Sequence, residues 1–397
     1  MKESSFDYVI VGAGSAGISV ASRLKKKFPD QSVAIIDPAE QHYYQPLWTL
    51  VGAGQTTREN TGREIKGLIP RGVQWIKDKV DTFNPEENSV ALKDEGRSLT
   101  YKYLIVAPGI QLDWGKIGGI EGKMGSNGLC SNYDFNYVNS TWENLNNFKG
   151  GRAIFTMPPM PIKCPGAPQK IMWLAEDLFT RKGIREKCEV IFVSATPNIF
   201  GVEKYRNALN KLLEERNIKT YFSTNLESVD AENKKATFKD LKSGDTLDLD
   251  YDMLHLVPPQ SAPDFIKASP LSNEGGWVDV DKHTLQHQKY SNVFSLGDSI
   301  SAPCSKTGAA IRKQAPVVAE NLASLARGLE IKAKYDGYAS CPLVTRHNKC
   351  ILAEFGYDGK IMETFPFDQS KERWSMYILK RYLLPKLYWD FMLKGTM

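Results

Sequence analysis

Cysteine is the residue type in this sequence that is best suited to covalent redox chemistry. The chain of 397 residues contains six of them: Cys130, Cys164, Cys188, Cys304, Cys341 and Cys350. Six scattered cysteines are too few for a disulfide scaffold, and no Cys-x-x-Cys pair indicates a zinc site or a thioredoxin-type site. Cysteines that react together must therefore be brought together by folding.

Cys164 is the strongest candidate for a reactive thiol. It lies in segment 158–168, which contains five prolines and one glycine, and four residues before a predicted helix N-terminus. The helix dipole and the neighbouring Lys163 both favour the thiolate. The alternative is a small buried residue, which is the commonest role of a free cysteine. Because the segment has no periodic apolar face to bury the side chain, we favour a reactive thiol.

The local pattern separates the other cysteines by role. Cys188 and Cys350 stand at the starts of alternating apolar strands, so we interpret both as packing residues. Cys341 lies in a polar segment without an apolar period, which we interpret as a loop, and it is the better partner for Cys164. The roles of two cysteines stay open: Cys130 and Cys304.

The elements that position these cysteines begin with a glycine-rich turn near the N-terminus. A buried strand is predicted over residues 8–11 and a helix over residues 18–27. Between them lie Gly12, Gly14 and Gly17, which allow a tight turn, a close approach of backbone N–H groups to a pyrophosphate, and close packing of helix on strand. A glycine fingerprint alone is weak evidence for a nucleotide site.

A carboxylate at the expected spacing strengthens the dinucleotide interpretation. The second predicted strand, 32–36, is followed by Asp37, which lies 20 residues after Gly17. A carboxylate at this position binds the ribose hydroxyls in dinucleotide folds. The alternative is a glycine-rich turn without a ligand, and the combination of fingerprint and acid disfavours it.

Two later segments favour FAD over NAD. Residues 101–109 are predicted to form a strand that ends in a tight turn, and residues 292–298 a short strand that ends in Gly-Asp. Each resembles a motif of the two-dinucleotide-domain flavoproteins, in which the first turn packs near the cofactor and the Gly-Asp carboxylate holds the ribityl chain. A nicotinamide enzyme needs one fingerprint and no such Gly-Asp strand.

The middle of the chain is predicted to keep a doubly wound fold without a second nucleotide site. The predicted strand 151–157 runs directly into the proline-rich segment 158–168, where a pyrophosphate has no glycine nest. The alternation of helices and strands continues beyond it. The predicted elements are a helix at 169–181, a strand at 189–194, a helix at 205–216 and a strand around 219–222.

Long runs of the sequence closely resemble the sulfide:quinone oxidoreductases of the mitochondrial-like class, over nearly the whole chain. The runs are residues 44–54, 154–172, 276–281, 335–345 and 363–373. The resemblance implies an α/β fold with two Rossmann-like, doubly wound domains and a C-terminal amphipathic region that associates with a membrane. The implied division is a discontinuous FAD-binding domain at 1–115 and 291–330, a second domain without a nucleotide at 116–290 that carries Cys164, and a C-terminal region at 331–397 that carries Cys341.

The resemblance also implies a redox cycle. Cys164 and Cys341 are the implied redox pair, bridged at rest by a disulfide or by an extra sulfur. Hydrogen sulfide attacks the bridge, electrons pass through FAD to ubiquinone or another quinone, and a small acceptor such as sulfite or glutathione removes the sulfur. Cys341 is the favoured persulfide carrier, with Cys164 facing the flavin, and no metal is expected.

The resemblance assigns the FAD contacts residue by residue. They are Gly12, Gly14, Ser15, Ala16, Asp37, Gln45, Val80, Ala107, Gly109, Asp298, Lys306 and Thr307. Asp37 departs from the family, which often has Glu there, but the shorter side chain still reaches a ribose. Cys130 resembles the third cysteine of other classes of the family, so a shuttle for sulfur is one role left open for it.

Residues 371–397 are basic and aromatic, which is typical of a helix at a lipid surface. The whole chain carries 51 Lys and Arg against 46 Asp and Glu, a net charge of +5, which does not indicate a nucleic-acid binder. Most of this excess lies in the tail, where six cations outnumber two acids: Lys371, Arg373, Lys380, Arg381, Lys386 and Lys394 against Glu372 and Asp390. An ordinary amphipathic helix that covers the flavin domain is the alternative.

The remaining expectations concern location and competing functions. Residues 1–7 have neither signal-peptide nor transit-peptide features, and no run of about 18 apolar residues predicts a transmembrane helix. We expect a peripheral protein on the cytoplasmic face of a bacterial inner membrane, and a homodimer is left open. The alternative functions are a flavoenzyme like type II NADH:quinone oxidoreductase, which the missing second fingerprint disfavours, and a non-catalytic flavin-binding sulfur carrier.

Overall fold

An apolar strand, Ser4–Val11, is the centre of the first sheet. The computed structural model describes residues 4–94 and 96–397. Five strands form one parallel array. Their spatial order is Val73–Ile76, Val33–Ile36, Ser4–Val11, Ser98–Val106 and Val293–Ser295. In chain order this is 3-2-1-4-5, the doubly wound order in which ligands bind where the chain reverses direction across the sheet.

The strand Ser98–Val106 extends the first sheet in two ways. Its first half pairs antiparallel with Ser89–Leu92, which in turn pairs with Val80–Asn84, whereas its second half pairs with Val293–Ser295. Two helices of this part of the chain pack against each other: Ser15–Lys27 and Gly308–Ala326. The first of them begins earlier than predicted because the glycine turn leads directly into it.

A second sheet of five parallel strands occupies the middle of the chain. Its spatial order is Leu129–Cys130, Met253–His255, Gly151–Met157, Cys188–Ser194 and Lys219–Phe222. The helices in this part are Val138–Asn147, Ala167–Arg181 and Glu203–Glu215. The helix predicted from residue 169 begins at Ala167, because Pro168 fits the first helical turn, where no N–H is needed. The prediction of two parallel Rossmann-like sheets is confirmed.

Smaller elements complete these two sheets. One antiparallel sheet contains Thr224–Asp230, Lys235–Asp240 and Thr246–Asp250. Two short antiparallel pairs join Gln41–Tyr43 to Gly62–Glu64 and Gln111–Leu112 to Gln260–Ser261. The short α-helices are Trp48–Gly52 and Asp264–Lys267. The 3₁₀ turns are Gln45–Leu47, Glu59–Thr61, Ile65–Gly67, Trp114–Lys116, Arg185–Lys187, Gly297–Ser299 and Tyr357–Gly359.

A C-terminal hairpin, formed by Ala339–Arg346 and Lys349–Phe355, packs on the helix Ala167–Arg181. Cys341 is fully buried in the first hairpin strand, opposite Ala353. The predicted polar loop around Cys341 is therefore wrong. Buried and half-exposed side chains alternate from Ala339 onward, as in a strand. Proline is tolerated next to Cys341 because a two-stranded hairpin leaves each strand one free edge.

The chain ends in a C-terminal helix with irregular winding. It is α-helical at Trp374–Ile378 and Leu384–Leu387 and π-helical at Leu379–Leu383 and Tyr388–Met392. One face is buried and contains Met376, Tyr377, Lys380, Tyr388, Trp389 and Met392. The assignment of Lys380 to a basic surface is wrong, because its side chain is 2% exposed and points inward. None of the helices in residues 4–94 and 96–397 has the length and apolar character to span a bilayer.

Candidate active site

Four adjacent strands of the first sheet end at one edge, and each is followed by residues predicted to contact FAD. In spatial order these are Asp37, the turn 12–17, Ala107 with Gly109, and Asp298. Backbone hydrogen bonds hold the neighbours in register: Gly12 N donates to Ile36 O and Ala107 N donates to Val11 O, both at 2.8 Å. The carboxyl edge of a parallel sheet is the usual ligand position in doubly wound folds.

The glycines at this edge fall into two physical groups. A Cβ at Gly12, where φ is +101°, would lie 2.3 Å from a backbone oxygen, and a Cβ at Gly17 would lie 1.9 Å from one. Packing therefore requires both glycines. An added Cβ at Gly14 or Gly109 has no heavy atom within 4 Å, so the backbone there borders open space. This cradle at the start of the helix Ser15–Lys27 fits a pyrophosphate.

Asp37 anchors the glycine turn directly. Its Oδ2 accepts a hydrogen bond from Ala13 N at 2.7 Å, and its Oδ1 accepts one from Ala39 N at 2.8 Å. Burial raises the pKa of Asp37, and the two hydrogen bonds act in the opposite direction. Each carboxylate oxygen keeps a further lone pair, so the side chain can still accept from ribose hydroxyls.

Asp298 lies at the same edge with a half-buried carboxylate. No donor in residues 4–94 or 96–397 hydrogen-bonds to this half-buried side chain. Burial raises the pKa of Asp298, whereas the charges of Lys306 and Lys163 lower it. A carboxylate without donors of its own fits the hydroxyl-rich ribityl chain of FAD.

The other residues predicted to contact FAD lie around this edge in varied settings. Lys306 is buried, and its Nζ donates to a backbone oxygen at 3.1 Å. Thr307 caps the helix Gly308–Ala326 by accepting a backbone hydrogen bond at 3.1 Å. Val80 is buried at the start of its strand, and Gln45 is exposed. Ser15 and Ala16 form the first turn of the helix that follows the glycines.

The proline-rich segment runs from the second sheet to the edge of the first. It follows the strand Gly151–Met157, and a backbone bridge joins Lys163 to Lys306. Cys164 adopts φ +81°, a left-handed conformation that is uncommon for residues other than glycine. Cys164 therefore lies at the junction of the proline-rich segment with the edge of the first sheet.

Cys164 and Cys341 meet at this junction. Their Sγ atoms are 3.8 Å apart, with Cys341 buried and Cys164 half-buried. Gly166 permits the approach, because a Cβ there would lie 2.4 Å from Leu343 Cδ2 and 3.5 Å from the Cys341 Sγ. The structure brings together the two cysteines that the sequence selects as partners.

Two buried lysines accompany the cysteine pair. Lys170 Nζ donates to Cys164 Sγ at 3.6 Å, and Lys380 Nζ donates to the Pro46 carbonyl oxygen at 2.7 Å. The pKa of Cys164 lies well below its usual value, because Cys341 donates a hydrogen bond to it and because the charge of Lys170 and the protonated form of Lys380 favour the thiolate. That hydrogen bond and burial raise the pKa of Cys341. The surroundings therefore favour the thiolate form at Cys164 and the thiol form at Cys341.

The sequence predicts Lys163 as the cation beside Cys164, and this prediction is wrong. Lys163 turns away, and its Nζ donates to Gln45 Oε1 at 2.9 Å and to the Tyr133 carbonyl oxygen at 3.5 Å. Lys170 takes the predicted place from the first turns of the helix Ala167–Arg181. This helix starts at Ala167, three residues after Cys164.

Sequence reasoning overlooked Lys170 and Lys380, although each leaves a signal. Lys170 lies directly before the buried Ile171, and Lys380 follows the buried Met376 by four positions. A lysine on the apolar stripe of a helix is rarely buried without a partner. Burial lowers the pKa of Lys380 to about 7, and the nearby Lys170 acts in the same direction.

Two unpaired donors lie close to the cysteine pair. The hydroxyl of Tyr133 and the Nε2 of Gln260 are buried and have no partner among the described residues. Burial raises the pKa of Tyr133, and charges on both cysteines raise it further, so its hydroxyl lies within electrostatic reach of them. Gln260 accepts the Lys163 backbone N–H through Oε1 at 2.9 Å. These donors can bind a sulfur species or a small acceptor.

The other cysteines lie in packed surroundings. Cys188 and Cys350 are buried, in agreement with their interpretation as packing residues. Cys130 is fully buried, its Sγ donates to the Leu254 carbonyl oxygen at 3.7 Å, and burial raises its pKa to about 12. An interior thiol of this kind does not fit a sulfur shuttle. Cys304 Sγ accepts a hydrogen bond from a glutamine at 3.5 Å, and burial raises its pKa.

Comparisons with known proteins agree with this geometry. Residues 6–143 match the family model described as pyridine nucleotide-disulphide oxidoreductase. The chain is 46% identical to the mitochondrial sulfide:quinone oxidoreductase of Mus musculus over 394 residues, which is 99% of this chain and 87% of the mouse protein. The Dictyostelium discoideum protein of the same name is 46% identical over 98% of this chain and 86% of its own length.

A solved structure shares the whole fold. The sulfide:quinone oxidoreductase from the hyperthermophilic bacterium Aquifex aeolicus superposes with a TM-score of 0.82, over 100% of this chain and 92% of that chain, at 19% identity. At this identity the likeness concerns the fold alone. The identity of 46% to the mouse and Dictyostelium proteins over almost the entire chain is what decides the family. The chain belongs to the sulfide:quinone oxidoreductase family, of the mitochondrial type.

Proposed function

We propose that this protein is a flavin-dependent sulfide:quinone oxidoreductase that oxidises sulfide at Cys164 and Cys341. The observation that carries the proposal is the cysteine pair with its 3.8 Å sulfur separation, located where the proline-rich segment reaches the edge of the first sheet. Family membership supplies the reaction class, and the geometry supports the choice of these two cysteines as the residues that perform it.

FAD is the proposed cofactor of the first sheet. The turn 12–17 offers backbone N–H groups to the pyrophosphate, Asp37 offers its carboxylate to the ribose, and Asp298 offers its carboxylate to the ribityl chain. The remaining proposed contacts are Ser15, Ala16, Gln45, Val80, Ala107, Gly109, Lys306 and Thr307. FAD supplies a two-electron acceptor that can return a reduced cysteine pair to the bridged state and pass the electrons to a quinone.

The sulfur chemistry begins from a bridge between the two cysteines. Hydrosulfide forms a new S–S bond to Cys341 Sγ, and the bond from Cys341 to Cys164 breaks, so that its electron pair leaves on Cys164. Cys341 then holds a persulfide and Cys164 is a thiolate. A small nucleophile such as sulfite or glutathione next bonds to the outer sulfur and leaves the Cys341 thiolate, so both cysteines are reduced.

The assignment of the persulfide to Cys341 follows from leaving-group chemistry. In thiol–disulfide exchange the thiol with the lower pKa leaves faster. Cys164 has the lower pKa, because Lys170 and Lys380 stabilise its negative charge. Attack at Cys341 with departure of Cys164 is therefore the favoured direction.

The spacing of the two sulfurs is compatible with either form of bridge. A direct disulfide needs an approach to about 2.05 Å, whereas the outer sulfurs of a bent trisulfide, with two bonds of that length, lie roughly 3.3 Å apart. The observed 3.8 Å is closer to the second separation. We propose that the site can hold one extra sulfur without a change of the backbone.

The C-terminal helix is the proposed contact with the membrane and its quinone. It exposes four large side chains with apolar character: Trp374 at 59%, Tyr382 at 58%, Leu383 at 46% and Phe391 at 43%. Lys386 and Lys394 are exposed on the same helix. Aromatic and basic side chains together favour an interface of anionic lipid. Location on the cytoplasmic face of a bacterial inner membrane stays a prediction.

The domain division from the sequence is kept as part of the proposal. All strands of the first parallel array lie within 4–106 and 293–295, those of the second within 129–255, and the hairpin and C-terminal helix within 339–392. This distribution supports the boundaries 1–115 with 291–330, 116–290, and 331–397.

One anaerobic experiment tests the function. Purified holoenzyme is mixed with sulfide or, separately, with NADH while the flavin absorbance is followed, and decylubiquinone is then added. We expect sulfide to bleach the flavin and the quinone to restore it. Bleaching by NADH alone contradicts the proposal and favours a type II NADH dehydrogenase. Sulfide binding without bleaching favours a sulfur carrier.

A further inference from the structure

A chain of hydrogen bonds joins the C-terminal helix to the glycine turn. The Tyr388 hydroxyl lies 2.6 Å from Ser15 Oγ, and it also hydrogen-bonds to His42 Nε2. The other ring nitrogen of His42, Nδ1, lies 3.2 Å from the Ala13 carbonyl oxygen. Two of the connected residues, Ala13 and Ser15, flank the open Gly14. The residues Tyr388 and His42 are 5% and 6% exposed.

The chemistry of these groups determines which atom donates in each of the linked hydrogen bonds. Burial lowers the pKa of His42 to about 4, so the ring is neutral and has one N–H. The Ala13 carbonyl oxygen can only accept, and therefore His42 Nδ1 donates to it. His42 Nε2 must then accept from Tyr388, and the Tyr388 oxygen must accept from the Ser15 hydroxyl.

In this arrangement the Ser15 hydroxyl proton is donated to the Tyr388 oxygen and is not available to a ligand. What Ser15 offers to a ligand as a donor is its backbone N–H, which belongs to the free first turn of the helix Ser15–Lys27. No acidic side chain stands in that turn, and Gly14 caps it without a side-chain hydrogen bond. The peptide units around Gly14 are thus held by Tyr388 and His42 on one side, in addition to the hydrogen bond from Ala13 N to Asp37.

The C-terminal helix is held firmly at this point. The rings of Tyr388 and Tyr44 lie 4.5 Å apart, and Trp389 packs edge-on against His42 at 5.7 Å. One turn further, Ser22 Oγ donates to the Leu393 carbonyl oxygen at 2.6 Å. The end of the chain therefore runs along the helix whose start borders the cradle.

We propose that Tyr388 is a positioning residue of the dinucleotide site: through Ser15 and His42 it orients the turn around Gly14 for the pyrophosphate. The C-terminal helix is then part of the cofactor site as well as an exposed surface. This inference rests on the proposed binding of FAD, so its test must separate the two.

The test compares Tyr388→Phe with the wild type in the full-length holoenzyme. FAD release on dilution is followed by flavin fluorescence, and ADP is added as a competitor that carries the pyrophosphate but no flavin. Removal of the hydroxyl leaves the buried His42 Nε2 and the half-buried Ser15 Oγ without their partner, so we expect both FAD and ADP to bind about tenfold more weakly. Tyr382→Phe, which removes an exposed hydroxyl from the same helix, is expected to bind both as the wild type does.

A double-variant cycle separates positioning from general damage to the fold. If Tyr388 acts through Ser15, Ser15→Ala weakens FAD binding in the wild type but adds little in Tyr388→Phe. Unchanged FAD affinity in Tyr388→Phe overturns the inference, as does a loss of FAD affinity without a matching loss for ADP. A wild-type protein that binds no FAD overturns the proposed function itself.

Discussion

Cys164 and Cys341 lie 177 positions apart in the chain, yet their Sγ atoms are separated by 3.8 Å. One belongs to the segment after a strand of the second sheet, and the other to the buried strand of the C-terminal hairpin. Neither of these two segments contains a second cysteine that could form a redox pair. The pair exists because the hairpin packs on the helix that follows Cys164.

Removal of either cysteine should stop sulfide oxidation and leave FAD bound. In Cys164→Ser and Cys341→Ser no S–S bond can form for hydrosulfide to attack, so we expect sulfide-driven flavin bleaching to fall at least about a thousandfold. Stopped-flow absorbance measures the rate, and the flavin content of the purified variants is the control. Cys188→Ala should retain the reaction. Full activity in Cys164→Ser or Cys341→Ser removes that cysteine from the mechanism.

Loss of the Lys170 charge should slow the reaction in a manner that depends on pH. Lys170 lowers the pKa of Cys164 by its charge and by its hydrogen bond to the sulfur. A hydrogen bond to a charged group contributes about 1.5–3 kcal/mol, so Lys170→Gln should reduce the rate about ten- to a hundredfold at neutral pH. The loss should shrink as the pH rises, because the thiolate then forms without help.

Alkylation by iodoacetamide checks the cause. In the dithiol state, the pH at which Cys164 becomes reactive should be higher in Lys170→Gln than in the wild type. Lys170→Arg keeps the charge and should stay closer to the wild type. An unchanged alkylation profile in Lys170→Gln refutes the electrostatic role.

Burial of Lys380 should make the free energy of unfolding rise with pH. Burial lowers its pKa to about 7 in the folded chain, whereas an unfolded chain has a lysine pKa of about 10.4. Between these values the unfolded state holds a proton that the folded state has released, so the free energy of unfolding rises with pH. Lys380→Met should lose this rise.

Urea unfolding at several pH values across that window measures the effect. The advantage of the wild type over Lys380→Met should grow as the pH increases. Lys386→Met, a change at an exposed lysine of the same helix, should keep the wild-type slope. A wild-type slope in Lys380→Met contradicts the burial of a neutral amine.

Two glycines of the same turn should respond differently to alanine. A Cβ at Gly12 would lie 2.3 Å from a carbonyl oxygen at a positive φ, so Gly12→Ala should lower the free energy of unfolding by about 1–3 kcal/mol. Gly14 has open space beyond it, so Gly14→Ala should cost less than about 1 kcal/mol while weakening FAD binding. Chemical unfolding and FAD titration measure the two effects. Equal destabilisation by both changes contradicts the division of roles.

The exposed face of the C-terminal helix should govern attachment to lipid. Burial of an apolar side chain contributes about 1.5–3 kcal/mol, so the triple change Trp374→Ser, Tyr382→Ser and Phe391→Ser should weaken binding to phosphatidylglycerol vesicles more than tenfold. Co-sedimentation measures the binding. Leu329→Ser removes a side chain that is 58% exposed elsewhere and should have no effect. Undiminished binding of the triple variant excludes this face as the contact.

The parallel sheets were predictable from the sequence because their signals are local. Strand 151–157 is observed with the predicted bounds, Gly151–Met157, since a continuous apolar run in a parallel sheet shows in a short window. The turn at Gly12 and the carboxylate of Asp37 were predictable for the same reason, because their contacts are with residues nearby in sequence or at the end of the adjacent strand.

The parts that were missed depend on distant packing. The sequence around Cys341 predicts a loop because Pro342 and polar neighbours are uncommon in strands. They are tolerated here because the strand belongs to a two-stranded hairpin and has one free edge. Lys380 looked like a surface cation because its burial depends on the Pro46 carbonyl oxygen, which lies 334 positions away. Lys163 looked like the partner of Cys164 because it is adjacent in sequence, yet adjacent side chains along an irregular segment point in different directions.

Gly166 has a kinetic consequence. Since its missing side chain leaves room for Leu343 and the Cys341 sulfur beside the proline-rich segment, the backbone after Cys164 can pack directly against the second cysteine. Capture and loss of a single sulfur atom can then be accommodated by torsion about two Cα–Cβ bonds. Turnover should therefore be paced by delivery of reactants and by bond exchange, with no slow opening and closing of domains in the cycle.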